Sequence, residues 1–268
     1  MSEHGREAHF VQSLERGLTV IRAFDARNPE LTLSEVARIC DLTRAAARRF
    51  LLTLVDLGYV RTDGRLFSLT PRVLELGYAY LSAISLPEVA EPHLERLVAQ
   101  VHESSSVCVL DGEHIVYVSR VPTSRIMAVS INVGTRFPAY ATSVGRVLFA
   151  HLPEEEMQAR LERSSLQRLT ARTIHTLPGL RVELNRVRAQ GYAIVDQELE
   201  EGLRSVAAPI RDRLGKVIAA VNISVHASRN SVESIRRELL PHLLATAAKI
   251  EADLRIASPG RSQRLPGA

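Results

Sequence analysis

Arg44, Arg48 and Arg49 fall within six consecutive residues, RAAARR, directly after Thr43. If that stretch is helical, its apolar set of Ala47, Phe50, Leu51 and Leu54 defines a buried side, and the arginines lie opposite, near the N-terminus. Guanidinium groups so placed can do one kind of chemistry well. Each can hold O6 and N7 of a guanine through two parallel hydrogen bonds, worth roughly 1–3 kcal/mol of discrimination between bases. Small Ala45 and Ala46 permit close approach and contact with a thymine methyl. Two further arginines, Arg61 and Arg65, flank an Asp63-Gly64 step and suit phosphates or a minor groove, a contribution that weakens as salt rises. The bland alternative is that all five only keep a surface solvated.

The flanking elements favour double-stranded DNA as the partner. Thr32 and Glu35 have capping-box spacing for a helix in which Val36, Ala37 and Cys40 share a face. The Asp41-Leu42 break ends that helix, Thr43 can cap the next, and Gly58 stands where a C-terminal cap belongs. Two short apolar runs around Asp63-Gly64 then read as a hairpin. Upstream, Leu14, Leu18, Ile21 and Phe24 predict a supporting helix with one continuous apolar stripe. Helix, turn, arginine-faced helix and hairpin, in that order, are the plan of a winged helix-turn-helix over residues 13–70.

The 268 residues carry a net charge of only +4, with 46% hydrophobic content, which fits two globular domains. The charge is concentrated: between Leu42 and Arg72 six arginines face two aspartates, giving +4 in that window alone. No apolar run approaches the roughly 20 residues needed to span a bilayer, so no membrane partner is expected. The start, MSEHGREAHF, lacks the apolar core of a signal peptide, and a cytoplasmic location is expected. Cys40 and Cys108 lack any metal-ligand or disulfide spacing and are expected to be small core residues. No metal site and no cofactor is expected.

Thr70-Pro71 opens a linker helix over 71–85. A second domain over 86–254 follows: a helix over 86–101, strands over 105–110 and 114–119 joined at Asp111-Gly112, and a further strand near 126–131. A loop over 134–140 leads to a helix from Ser143 to His151, another after Pro153, and one ending at Gly191. Strands over 192–195, 205–210 and 216–225 precede a final helix over 232–254, which Pro241 should kink or restart. Residues 1–12 and 255–268 are expected to be disordered. The fold class is therefore α+β: a winged helix-turn-helix followed by an α/β sensor-like domain with a mostly antiparallel sheet.

Over roughly residues 13–254 the chain resembles the IclR family of bacterial transcription regulators. The resemblance rests on Leu33-Ser34-Glu35-Val36-Ala37, Leu57-Gly58-Tyr59-Val60, Gly191-Tyr192 and Ala207-Ala208-Pro209-Ile210 with Gly215. The segment from Asp196 to Ser205, with Asn222-Ile223-Ser224-Val225-His226, is more narrowly similar to the PcaR, PcaU and PobR subgroup, which regulates aromatic-acid degradation. That resemblance implies a GAF-like effector-binding domain, self-association into homodimers or tetramers, and a pocket at Ser143, Val144, Val195, Asp196, Ser205, Asn222 and Ser224. It also implies a small-molecule effector, an aromatic or dicarboxylic acid. Arg120, Arg136 and Arg204 are candidates by position for clamping its carboxylate, with structural ion pairing as the alternative for each.

Two other functions compete. An enzyme would need a nucleophile site, but Thr142-Ser143-Val144-Gly145 lacks the glycine two residues before the serine of a nucleophile elbow, and no H-E-x-x-H or phosphate loop occurs. A DNA-binding architectural protein with a purely oligomerising second domain is the other. A ligand that raises stability separates it from a regulator.

Overall fold

The computed structural model describes residues 10–76, 86–123 and 131–257, and the chain divides into two compact units that part between Ala83 and Ile84. The expected disorder at 1–9 and 258–268, most of the strand near 126–131 and the linker helix over 77–85 lie outside the described residues.

In the first unit, α1 (Gln12–Arg22), α2 (Leu33–Ile39) and α3 (Arg44–Asp56) enclose a core of Val20, Phe24, Leu31, Val36, Ala47, Leu51 and Val60. The caps are those written in the sequence. Thr32 Oγ1 accepts from Glu35 N, while Glu35 Oε2 accepts from Thr32 N at 2.8 Å, completing the capping box. Thr43 Oγ1 accepts from Ala46 N at 3.2 Å. At the end of α3, Gly58 takes φ +79°, and the amides of Gly58 and Tyr59 reach the carbonyls of Val55 and Leu54, each at 2.9 Å. The tight turn before α3 uses the same left-handed device without glycine: Asp41 sits at φ +51° and Leu42 N closes onto Ala37 O at 2.8 Å.

The wing is a three-stranded sheet. Strands β2 (Val60–Thr62) and β3 (Leu66–Leu69) form the expected hairpin, and β1 (Leu31–Thr32), read from sequence only as a helix start, pairs with the outer edge of β3. Two residues are too few for a period-two pattern to show. Helix α1 corrects the expected stripe: it buries Val20, with Ala23 and Phe24 just beyond its end, whereas Leu14 and Leu18 remain 63% and 40% exposed. Only its last turns reach the core.

The second unit is a six-stranded sheet in the order β6-β5-β4-β9-β8-β7, antiparallel at every pair. Its strands are β4 (Ser104–Asp111), β5 (His114–Val121), β6 (Arg136–Pro138), β7 (Ala193–Asp196), β8 (Leu203–Arg211) and β9 (Val217–His226). Strand β6 occupies part of the expected loop, pairing antiparallel with β5, and Phe137 packs edge-on against Tyr117. Helices α4 (Leu86–Val101) and α8 (Leu240–Ala257) pack together on one face. Against the other lies α5 (Ser143–Ala150), with α6 (Glu154–Arg163) and α7 (Leu177–Gln190) completing that core. Pro241 acts as expected: a π-type turn over Ile235–Leu239 precedes α8, whose second residue it is. Residues 255–257 continue α8 instead of belonging to a disordered tail, held by the burial of Leu254.

Helix α5 depends on one glycine. A Cβ on Gly145 would lie 2.1 Å from the carbonyl oxygen of Ala139, in the 3-10 turn Ala139–Ala141 beneath it. Neither backbone can yield cheaply. Gly145→Ala is expected to destabilise the second unit by about 1–3 kcal/mol or more, read as a lowered midpoint in urea with an unchanged slope. An unchanged midpoint would show that the two backbones can separate.

Candidate functional site

Among the described residues, two places bring expected site residues together, one in each unit. In the first, α3 presents Arg44, Ala45, Arg48 and Arg49, all exposed, with Thr43 exposed at its cap. The three guanidinium groups make no hydrogen bond or ion pair among the described residues, in contrast to most arginines of the second unit. Arg65 is exposed beside the wing turn, where Asp63 Oδ1 accepts from the amides of Arg65 and Leu66 and fixes the turn. Arg61 is exposed as well, its Nε donating across the hairpin to Ser68 Oγ at 3.0 Å. Arg72, counted in the basic window, is committed elsewhere: it caps the Leu57 carbonyl at 2.9 Å and lies 5.5 Å from the centre of the Tyr59 ring. The first turn of a helix, unobstructed and positively charged, beside a basic hairpin, is the geometry that enters a DNA groove.

In the second unit, α5 meets the sheet over a small pocket whose empty space, open mouth included, is about 530 Å3. Ser143, Val144, Val195, Ser205, Asn222 and Ser224 all line it, brought together from α5, β7, β8 and β9. Asp196, the remaining expected residue, does not. Its carboxylate is taken by Arg172 and by Arg204 Nε, the latter at 2.5 Å. Burial works to raise the Asp196 pKa, but hydrogen bonds from Arg204 and Gln197 and the neighbouring positive charges outweigh it and hold the group below the ordinary carboxylate value.

The walls are apolar: Ile115, Tyr117, Ile131, Phe137, Leu199 and Leu203. The floor is polar for a reason of register. Ser224 pairs with Ser104 on one side and Ser205 on the other, while Asn222 pairs with Ser106 and Ala207, so the side chains of each row point to one face. Asn222 Nδ2 donates to Ser224 Oγ at 3.0 Å. Two buried polar atoms in the pocket nevertheless have no partner among the described residues, Ser143 Oγ and Asn222 Oδ1. A buried group left unsatisfied costs about 1–3 kcal/mol, a deficit that a polar ligand would remove.

One feature of the site escaped the sequence reading. Arg146, 1% exposed in the middle of α5, forms a two-pronged pair with Glu198 at 2.7 and 2.5 Å and lies 3.7 Å from Glu183. Its Nε donates to the Tyr140 carbonyl at 3.0 Å, and Glu198 also accepts from Ile174 N at 2.8 Å. The pair ties α5, which carries Ser143 and Val144, to the connection between β7 and β8, which carries Leu199 and Glu200 into the pocket wall. The available signal was an arginine inside the otherwise apolar and small run SVGRVLFA. A buried charge must find a partner, but nothing local says which.

The described residues thus define a DNA-reading head joined in one chain to an α/β domain with a pocket of apolar walls and polar floor. Residues 13–64 match the IclR helix-turn-helix domain, and residues 78–252 match the C-terminal domain of the bacterial transcriptional regulator IclR. The chain belongs to the IclR family of transcriptional regulators. It is 44% identical to the Pca regulon regulatory protein of Pseudomonas putida over 239 residues, covering 89% of this chain and 82% of that one. A transcriptional regulator candidate from Rhodococcus sp. RHA1 is 61% identical with TM-score 0.84, covering 92% of this chain and all of that one. An IclR homologue from Microbacterium hydrocarbonoxydans, crystallised with 4-hydroxybenzoate, is 28% identical with TM-score 0.82, covering 91% of this chain and all of that one. Among the described residues, no helix is long and apolar enough to cross a membrane, and no cluster of three or more metal-ligating side chains occurs.

Proposed function

We propose that this regulator senses a small aromatic or dicarboxylic acid and controls genes for aromatic-compound catabolism. The observation that carries the proposal is the pair of unsatisfied buried atoms, Ser143 Oγ and Asn222 Oδ1, in a slot walled by Tyr117, Phe137 and aliphatic side chains. Flat apolar walls accept a ring or short carbon chain, and the polar floor requires hydrogen-bonding substituents on it. The relatives support the same class, through the Pca regulator and the homologue bound to 4-hydroxybenzoate.

In this reading Thr43, Arg44, Ala45, Arg48 and Arg49 face the major groove, and Arg61 and Arg65 contact phosphates or the minor groove. Two or four copies assemble in the cytoplasm, the effector biases the spacing of their heads, and no reaction is catalysed. Coupling then has to be reciprocal: whatever factor the acid imposes on DNA affinity, DNA imposes on the affinity for the acid.

The test is a gel shift with the DNA upstream of the gene, repeated with protocatechuate, 4-hydroxybenzoate and 3-oxoadipate, alongside thermal denaturation of the full chain. At least one acid should change operator affinity and raise stability, by about 2.7 kcal/mol at a hundredfold excess over Kd. Operator affinity and melting temperature indifferent to all three would leave an architectural DNA-binding protein in its place.

A further inference from the structure

Of the three arginines placed near the pocket by sequence, two already have carboxylate partners. Arg136 pairs with Asp111, and Arg204 with Asp196, its Nη1 also donating to the carbonyls of Ala227 and Asn230. Arg120 differs. It is half-buried, its Nη1 donates to Ser106 Oγ at 3.2 Å, and no acidic side chain pairs with it among the described residues.

Its direction follows from an irregularity in the sheet. Cys108 pairs with Tyr117, but Val107 pairs with Ser119 and Ser106 with Arg120, so β5 has one residue more than β4 at this point. Tyr117 lines the pocket. Three residues further on, a regular strand would point Arg120 to the opposite face, against α4 and α8. The bulge restores it to the pocket face, in one row with Ser106 and Asn222. Strands lie about 4.8 Å apart, so a guanidinium bonded to the Ser106 hydroxyl, above β4, is about one strand spacing from the Asn222 position on β9. Burial pushes the Arg120 pKa down; the nearby Tyr117 and Cys108 side chains oppose that shift, and no carboxylate does.

We infer that Arg120 is the specificity-determining residue that neutralises the effector's carboxylate, with Ser106 orienting the guanidinium toward the pocket floor over Asn222. The inference rests on the effector reading above and adds to it a requirement for negative charge on the ligand. Glu200 also lines the pocket.

The test compares 4-hydroxybenzoate with its neutral analogue 4-hydroxybenzamide by isothermal titration against the full chain, for wild type, Arg120→Gln and Arg120→Lys. Wild type should prefer the carboxylate by at least about 30-fold, as expected for a charge-assisted hydrogen bond. Arg120→Gln should lose that preference, its affinity falling much further for the acid than for the amide, and Arg120→Lys should keep part of it. Equal wild-type affinity for acid and amide would overturn the inference without any variant. So would an Arg120→Gln protein that still prefers the acid. Wild type that binds neither compound, nor any acid of the panel above, would instead overturn the effector reading and the inference with it.

Discussion

Glu198→Ala is expected to cost the second unit about 3–5 kcal/mol, the usual loss when one partner of a buried ion pair is removed and the other is left charged. Arg146 is almost fully enclosed, so it cannot recover hydration, and Glu183 at 3.7 Å already shares its carboxylate with Arg186. The same substitution frees Ile174 N, which now donates to Glu198. For a unit of this size each kcal/mol moves the melting temperature by about 2–4 °C, so thermal denaturation should show a fall on the order of 10 °C. Removing both charges together, Arg146→Met with Glu198→Leu, should cost much less, because no unpaired ion remains. If Glu198→Ala melted within a degree of wild type, the pair would not be the fastening between α5 and the pocket wall.

Arg48→Ala and Arg65→Ala are expected to damage DNA binding in two distinguishable ways. Arg48 is exposed on the second turn of α3 with no partner of its own, placed to meet base edges. Its loss should weaken discrimination at one operator position by about 1–3 kcal/mol and leave random DNA almost unaffected. Arg65, beside the wing turn, should behave as a phosphate contact: its loss weakens all sequences alike and reduces the slope of log affinity against log salt by about one. Titrations of operator and scrambled duplexes at several salt concentrations separate the two. The reverse pattern would exchange the roles of helix and wing.

Much of the first unit was legible because its signals are local. A capping threonine, a glycine past a helix end and an Asp-Gly step each act over three or four residues, so Thr32, Thr43, Gly58 and Asp63 identify their structures from sequence alone. The misreadings have a common origin in longer range. The two residues of β1 become a strand only because β3 offers them an edge, and the apolar stripe of α1 is left half exposed because burial depends on which turns reach α3. In the pocket, six of the seven residues implied by family resemblance converge. Asp196 stands beside them in sequence but is withdrawn by Arg172 and Arg204.

The sequence by itself determined the order of the elements other than β1 and β6, the caps of α2 and α3, the arginine-faced helix and the family, since these follow from short-range hydrogen bonding, from periodicity along one segment and from local motifs. Only the tertiary structure decided which arginines stay free and which are spent: Arg146 finds Glu198 fifty-two positions away, Arg204 finds Asp196, and a single extra residue in β5 sets Arg120 on the same face of the sheet as Ser106 and Asn222. A charge's partner and a strand's facing depend on register between distant segments, which is settled by packing the whole sheet and is written in no one stretch of it.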